Sequence, residues 1–183
     1  MRFRGRAWCF GDHMNTDLML PNTAYRVPAA QRPGLVFSAN RPGWAQQVEP
    51  GDLIVAGRNF GCGSGRPVST ILVELGIAGV VAESVNGLFF RSAVNAGLPI
   101  LECPGIASAV AELDEVSADL ASGEVINCRD GNRLAGRAVP PELLEIVSAG
   151  GVLPRLARDG YIVLPESGPA SRRPAPARKG ENG

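Results

Sequence analysis

Apolar positions along the chain follow two spacings. Leu53–Ala56, Gly79–Ala82 and Pro99–Leu101 are short unbroken apolar runs, the pattern of strands covered on both faces. Between the first two, Val68, Ile71, Leu72 and Leu75 fall at i, i+3, i+4 and i+7, one stripe of a helix. Pro67 suits the first position of that helix and Gly76 its C-terminal cap. Leu88, Phe89, Ser92, Ala93 and Ala96 make a second stripe, closed by Gly97. Strand–helix–strand–helix–strand predicts right-handed crossovers, and so an α/β fold with a central parallel βαβ sheet and helices packed on it.

The flanks read differently. Residues 3–10 predict a strand, Gly11–Asn15 a polar turn, and Leu18-Met19-Leu20-Pro21 a short extended piece that proline ends. Four prolines between residues 28 and 50 predict a long loop around a short helix near Trp44–Val48. Lying between Asp17 and the glycine-rich turn, that loop is a candidate rim for a site. Residues 105–113 read as a third helix. Residues 116–138, broken at Ser122-Gly123 and Asp130-Gly131-Asn132, read as additional β-hairpins. Pro140–Ala149 predicts a short helix ended by Gly150-Gly151. From Ser167 onward Pro, Arg, Gly, Ala and Ser dominate with no apolar period, which predicts a folded part at 1–166 and a disordered tail at 167–183.

Composition narrows the function classes. At 183 residues, 45% hydrophobic and 20% charged, the chain suits one globular domain with a core. Eighteen basic residues balance eighteen acidic ones, so no overall field favours nucleic acid or a membrane surface. No apolar run is long enough to span a bilayer, and no apolar segment follows the basic start, so a cytoplasmic location is expected. Cys9, Cys62, Cys103 and Cys128 lack the spacing of a zinc or iron–sulfur ligand set, and His13 is the one histidine. No metal bound by this chain is therefore expected.

The chemistry concentrates in Gly57-Arg58-Asn59-Phe60-Gly61-Cys62-Gly63-Ser64-Gly65-Arg66-Pro67, between a strand and a helix. Glycines such as Gly63 and Gly65 let backbone N–H groups approach a ligand, and the following helix start adds unpaired donors. Ser64 and Arg66 add a hydroxyl and a permanent cation, the parts that hold a carboxylate or phosphate. A dinucleotide fold is the rival reading, with Glu83 as its ribose-binding acid. Against it, Arg58-Asn59-Phe60 lengthens the turn, and a strand and long loop precede it. Read alone, Asn15-Thr16-Asp17 is a turn with a helix cap, Arg26 a solvated charge, His13 a turn residue and Cys62 a small packed side chain.

Taken together, these segments resemble the small subunit of the aconitase superfamily, the swivelling domain of isopropylmalate isomerase and homoaconitase. Phe10-Gly11-Asp12, Asn15-Thr16-Asp17 and Leu20-Pro21 resemble that family's opening FGDxxDTDxIIP. Gly51 to Ser64 resembles its GDVIVAGxNFGCGSSRE segment almost residue for residue, and Phe89 to Pro99 resembles IFYRNAINxGLP. The match runs over roughly residues 8–165.

The resemblance implies a swivelling β/β/α domain and a hydro-lyase that dehydrates a hydroxy di- or tricarboxylate and rehydrates it at the neighbouring carbon. It implies a large subunit that carries a [4Fe-4S] cluster, leaving this chain incomplete alone. It puts the proton-abstracting base on Ser64 and a supporting carboxylate on Asp17. Substrate contacts fall on Arg66, Thr16, Gly63 and Gly65. Residues 22–27 occupy the family's specificity segment, where Arg26 resembles the homoaconitase pattern. Two departures stand out: Gly65 replaces the family's second serine, and Pro67-Val68 replaces its Glu-His pair. Activity with altered substrate preference is expected. A non-catalytic anion- or nucleotide-binding module, or a scaffold subunit that only binds its partner, stays open at this point.

Overall fold

The structure is a computed structural model and describes residues 1–165. The expected tail at 167–183 lies outside the described residues. Strands β1 (Arg2–Phe10), β2 (Leu53–Ala56), β3 (Gly79–Ala82) and β4 (Ile100–Glu102) alternate with α3 (Val68–Glu74) and α4 (Gly87–Ala96). Strands β5 (Glu115–Asp119), β6 (Glu124–Asn127) and β7 (Arg133–Ala135) follow. Among the described residues they form one mixed sheet in the order β4-β3-β2-β1-β5-β6-β7. Strands β1 to β4 run parallel and β5 to β7 antiparallel, so the expected βαβ sheet and hairpins are parts of one surface.

Strand β1 joins the two halves. Ala7 to Phe10 pair with Leu53 to Ala56 of β2, while Arg2 to Arg6 pair with Asp119 to Glu115 of β5. Alternation along the parallel strands divides the core. Trp8, Ile54, Ala56, Val80 and Ile100 face α3, α4 and the long loop, whereas Ala7, Leu53, Val55, Val81 and Leu101 face Ile106, Val116 and Leu144. Covering on both faces explains why β2 and β3 read as unbroken apolar runs. Asp52, just before β2, is 5% exposed and accepts from Arg6 twice, Trp8 Nε1 and the Glu49 amide, which satisfies its buried charge.

Several sequence expectations need correction. Leu18–Pro21 is not extended: Thr16–Met19 form a single helical turn, α1, because Asn15 Oδ1 accepts the Asp17 amide at 2.8 Å. Pro67 is the cap before α3 rather than its first residue. The helix expected over 105–113 is only α5 (Ile106–Ala109). Val110 returns to extended backbone, and Leu113 takes a left-handed φ of 66°.

The 28–50 segment is more than a rim. Residues Ala29–Leu35 form a 3-10 turn and Trp44–Gln47 a short helix, α2. Between them Phe37 stacks on Phe10 at 4.3 Å and meets Trp44 edge-on, all within the core. After α6 (Pro141–Ser148) comes a further helix, α7 (Val152–Arg158), which the apolar pattern missed. None of its residues is fully buried, so its apolar stripe is weak, and Arg155 holds it through Glu145 and Asp159.

Candidate active site

Parallel pairing of β1 with β2 sets Phe10 beside Ala56, so the loops that leave these two strands emerge side by side. This is the carboxyl edge of the parallel strands, where α/β sheets carry their ligands. Backbone bonds sew the loops together. His13 N donates to Arg58 O at 2.7 Å, Gly61 N to Met14 O at 2.9 Å and Thr16 N to Cys62 O at 2.7 Å. Asp12 accepts from the Arg58 amide and twice from its guanidinium, which holds the Asp12 carboxyl below the usual carboxylate range. Sequence reasoning did not foresee this Asp12–Arg58 clamp.

The seam brings Asp17, Ser64 and Arg66 together from opposite sides of a 47-residue separation. Ser64 Oγ donates to Asp17 Oδ1 at 2.5 Å, and Arg66 Nε donates to the same oxygen at 2.5 Å. Arg66 Nε also lies 3.3 Å from Ser64 Oγ. The Ser64 hydroxyl first, and Arg66 after it, hold the Asp17 carboxyl below its ordinary pKa. The rest of the Arg66 fork is gripped by the segment after α1: Nη1 donates to Leu20 O at 2.5 Å and Nη2 to Asn22 Oδ1 at 2.9 Å. Its Cζ lies 5.4 Å from the centre of the Tyr25 ring. Asn22 and Tyr25 belong to the predicted specificity segment, but their hold on Arg66 is visible only in three dimensions.

Arg66 is 14% exposed and Asp17 47% exposed, so the pair sits at a surface opening rather than within the core. Each Nη keeps one N–H beyond its bond to the protein, and those two donors match a carboxylate. The amides of Gly63, Ser64 and Gly65 have no partner among the described residues. Thr16 is 2% exposed, and its hydroxyl donates to Ser64 O at 2.6 Å. It holds the serine loop from behind, with its hydroxyl already committed. Arg26 is exposed at the end of the 3-10 turn Asn22–Arg26, with no hydrogen-bond or ion-pair partner among the described residues.

The glycines divide in kind. Gly63 has a φ of 99°, and a Cβ on it would strike the Asn15 side-chain oxygen. Gly65 is open: a Cβ there would meet nothing nearer than Leu88 Cδ2 at 3.9 Å. A cavity of about 410 Å³ lies between α4 and the segment before α6, lined among others by Val85, Phe90, Glu102 and Arg137. None of the Asp17, Ser64 and Arg66 side chains reaches it.

Glu83 does not stand where a ribose-binding acid would. Its carboxylate accepts the amides of Gly105 and Ala107 and caps α5, a structural use that removes the main support for a dinucleotide fold. The cysteines do not fit an iron–sulfur cluster. Cys103 is buried behind β4 and Cys9 lies in β1, each with its thiol pushed up to about 11 by burial, the opposite of what a thiolate ligand needs. Among the described residues no three His, Cys, Asp or Glu side chains converge on a metal position, and no helix is long and apolar enough to cross a membrane.

The Aconitase C-terminal domain family matches residues 13–104, the part of the chain that contains this seam. The isopropylmalate/citramalate isomerase small subunit of Methanocaldococcus jannaschii is 40% identical over 158 residues, covering 85% of this chain and 94% of the relative. A 3-isopropylmalate dehydratase small subunit of Thermodesulfovibrio yellowstonii is 39% identical, covering 84% and 92%. A methanogen homoaconitase small subunit of Methanothermobacter thermautotrophicus is 38% identical, covering 82% and 88%. The crystal structure of a 3-isopropylmalate dehydratase from Methanocaldococcus jannaschii superposes with a TM-score of 0.80 at 30% identity, covering 87% of this chain and 95% of that one.

Proposed function

The chain belongs to the Aconitase C-terminal domain family, and from that premise we propose that it is the small subunit of a 3-isopropylmalate dehydratase-like hydro-lyase. Its substrate is a small hydroxy di- or tricarboxylate, and a homoaconitase-like preference for a polar acid is the alternative within the same chemistry. The observation that carries the reading is one carboxylate oxygen, Asp17 Oδ1, shared by Ser64 Oγ and Arg66 Nε.

Each residue then has a defined task. Ser64, as its own hydroxyl proton passes to Asp17 Oδ1 along their hydrogen bond, takes the proton from the carbon next to a substrate carboxylate, and both protons move back during rehydration. A serine hydroxyl is a weak base, so its oxyanion needs nearby donors; Arg66 Nε and the unpaired loop amides supply them. Asp17, ionised at rest by its two donors, orients the hydroxyl and receives its proton in that step. The remaining Arg66 N–H groups bind the carboxylate on which charge grows as the proton leaves, favouring the transition state over the substrate. Thr16 fixes the loop. A large subunit supplies the [4Fe-4S] cluster, which acts as the Lewis acid for the substrate hydroxyl, and covers an opening that solvent reaches in this chain alone. A cytoplasmic location accords with this assignment.

Two measurements test the reading. The purified chain is expected to show no dehydratase activity and to take up no iron–sulfur absorbance on anaerobic reconstitution, whereas addition of the large subunit and cluster restores turnover of a hydroxy acid. Turnover or cluster uptake by the chain alone would contradict it. The second concerns Arg26. If its guanidinium reads the variable end of the substrate, Arg26→Val lowers kcat/KM for a polar-ended acid and raises it for isopropylmalate. An isopropyl group leaves such a cation without a partner, at a cost on the order of 1–3 kcal/mol. Unchanged preference in Arg26→Val would place that side chain in solvent.

A further inference from the structure

We infer that Arg32, which shares the Tyr25 ring with Arg66, is a second anion-binding cation of the site and takes a carboxylate at the variable end of the substrate. This rests on the hydro-lyase reading for the identity of the ligand but not for the existence of the cation pair. The Tyr25 ring carries two guanidiniums, with Arg66 Cζ at 5.4 Å and Arg32 Cζ at 5.3 Å from its centre. The two cations can therefore be no further apart than those distances added. Their surroundings differ. Arg66 is fixed by Asp17, Leu20 and Asn22. Arg32 sits in the Ala29–Leu35 turn, half-buried, and its Nε is buried without any hydrogen-bond partner.

Charge balance points the same way. The sequence holds no acidic residue between Asp17 and Glu49, while the stretch carries Arg26, Arg32 and Arg41. Arg41 is neutralised by Glu112. Among the described residues no carboxylate lies within ion-pair distance of Arg32 or Arg26. Asp17, which precedes that stretch, already serves Arg66. A half-buried guanidinium with an unpaired N–H is costly unless a ligand completes it. The Tyr25 ring holds the guanidinium, whose two Nη groups have no hydrogen-bond partner among the described residues, which leaves their fork for a carboxylate. Two cations joined through one ring match a ligand with carboxylates at both ends. Arg26 lacks this anchoring, so Arg32 is the better placed of the two to discriminate substrates.

The test uses the full chain with two unreactive probes, tricarballylate and isopropylsuccinate, titrated by calorimetry. Wild type is expected to bind tricarballylate about tenfold more tightly, the worth of one charge-assisted hydrogen bond. Arg32→Gln should abolish that preference without weakening isopropylsuccinate, and Arg32→Lys should keep part of it. A Tm close to wild type shows that each variant is folded. Equal or undetectable binding of the two probes by wild type, or a preference that survives Arg32→Gln, overturns the inference. Turnover by the assembled enzyme separates the two readings. Activity without an Arg32-dependent preference removes only the role of Arg32. An Arg32-dependent preference without activity on any hydroxy acid keeps the anion site and removes the hydro-lyase.

Discussion

Ser64→Ala, assembled with the large subunit and cluster, is expected to retain roughly one part in 10² to 10⁴ of wild-type kcat, the usual worth of a positioned acid–base group. KM should stay within a few-fold of wild type, because the hydroxyl acts in proton transfer while Arg66 keeps its grip on the substrate carboxylate. Steady-state kinetics separate the two parameters, and exchange of the substrate proton with solvent reports the step itself. Near-normal kcat in Ser64→Ala would move the base elsewhere in the assembly.

The same substitution has a signature that needs no turnover. The Ser64 hydroxyl is the largest cause of the lowered pKa of Asp17, with Arg66 second. Removing it lets the Asp17 carboxyl move up toward the ordinary range, a change that carboxyl NMR can follow in the free chain. The sign for stability follows. A carboxyl lowered in the folded state contributes stability that is present above its unfolded pKa and lost as pH falls through the folded one. In Ser64→Ala the folded value lies closer to the unfolded one, so that contribution shrinks and its acid loss, which still begins near the unfolded pKa, is complete at higher pH. Asp17 is solvent-exposed, which keeps the stability effect small beside the kinetic one.

How much of this was legible in sequence depends on what each signal encodes. The runs at Leu53–Ala56 and Gly79–Ala82 record burial on both faces, so β2 and β3 fell where the pattern put them. The Ser64 and Arg66 loop was legible because it combines glycines with chemistry in one short stretch. Asp17 was reached through family resemblance, since nothing local ties it to Ser64; parallel pairing of β1 with β2 does that. The α1 turn was missed because Leu18-Met19-Leu20-Pro21 looks extended, while the Asn15 cap that decides it is a single hydrogen bond. Helix α5 was overextended because Asp114 accepts the Ala111 amide and turns the chain early, which periodicity cannot show. Arg32 offered no sequence signal. Its interest lies in the partner it lacks.

Gly63→Ala and Gly65→Ala, two positions apart, should behave oppositely. Gly63 holds a φ of 99° and packs against the Asn15 side chain, so a methyl group there is strained and must push Asn15 away. Asn15 caps α1 by accepting the Asp17 amide, and Asp17 orients Ser64. Displacement at Gly63 therefore passes through two residues, Asn15 and Asp17, to the reacting hydroxyl. A shift of about 1 Å at such a group costs on the order of 100-fold in rate, and the left-handed backbone costs about 1–2 kcal/mol of stability. For a domain of this size each kcal/mol lowers Tm by roughly 2–4 °C. Gly65→Ala meets open space and should match wild type in Tm, with any effect confined to KM. Calorimetric melting and steady-state kinetics on the two variants check the contrast. If Gly63→Ala keeps both Tm and kcat, the chain from Asn15 through Asp17 does not position Ser64, and the serine is held instead by Thr16 and Arg66, through their bonds to the Ser64 carbonyl and hydroxyl.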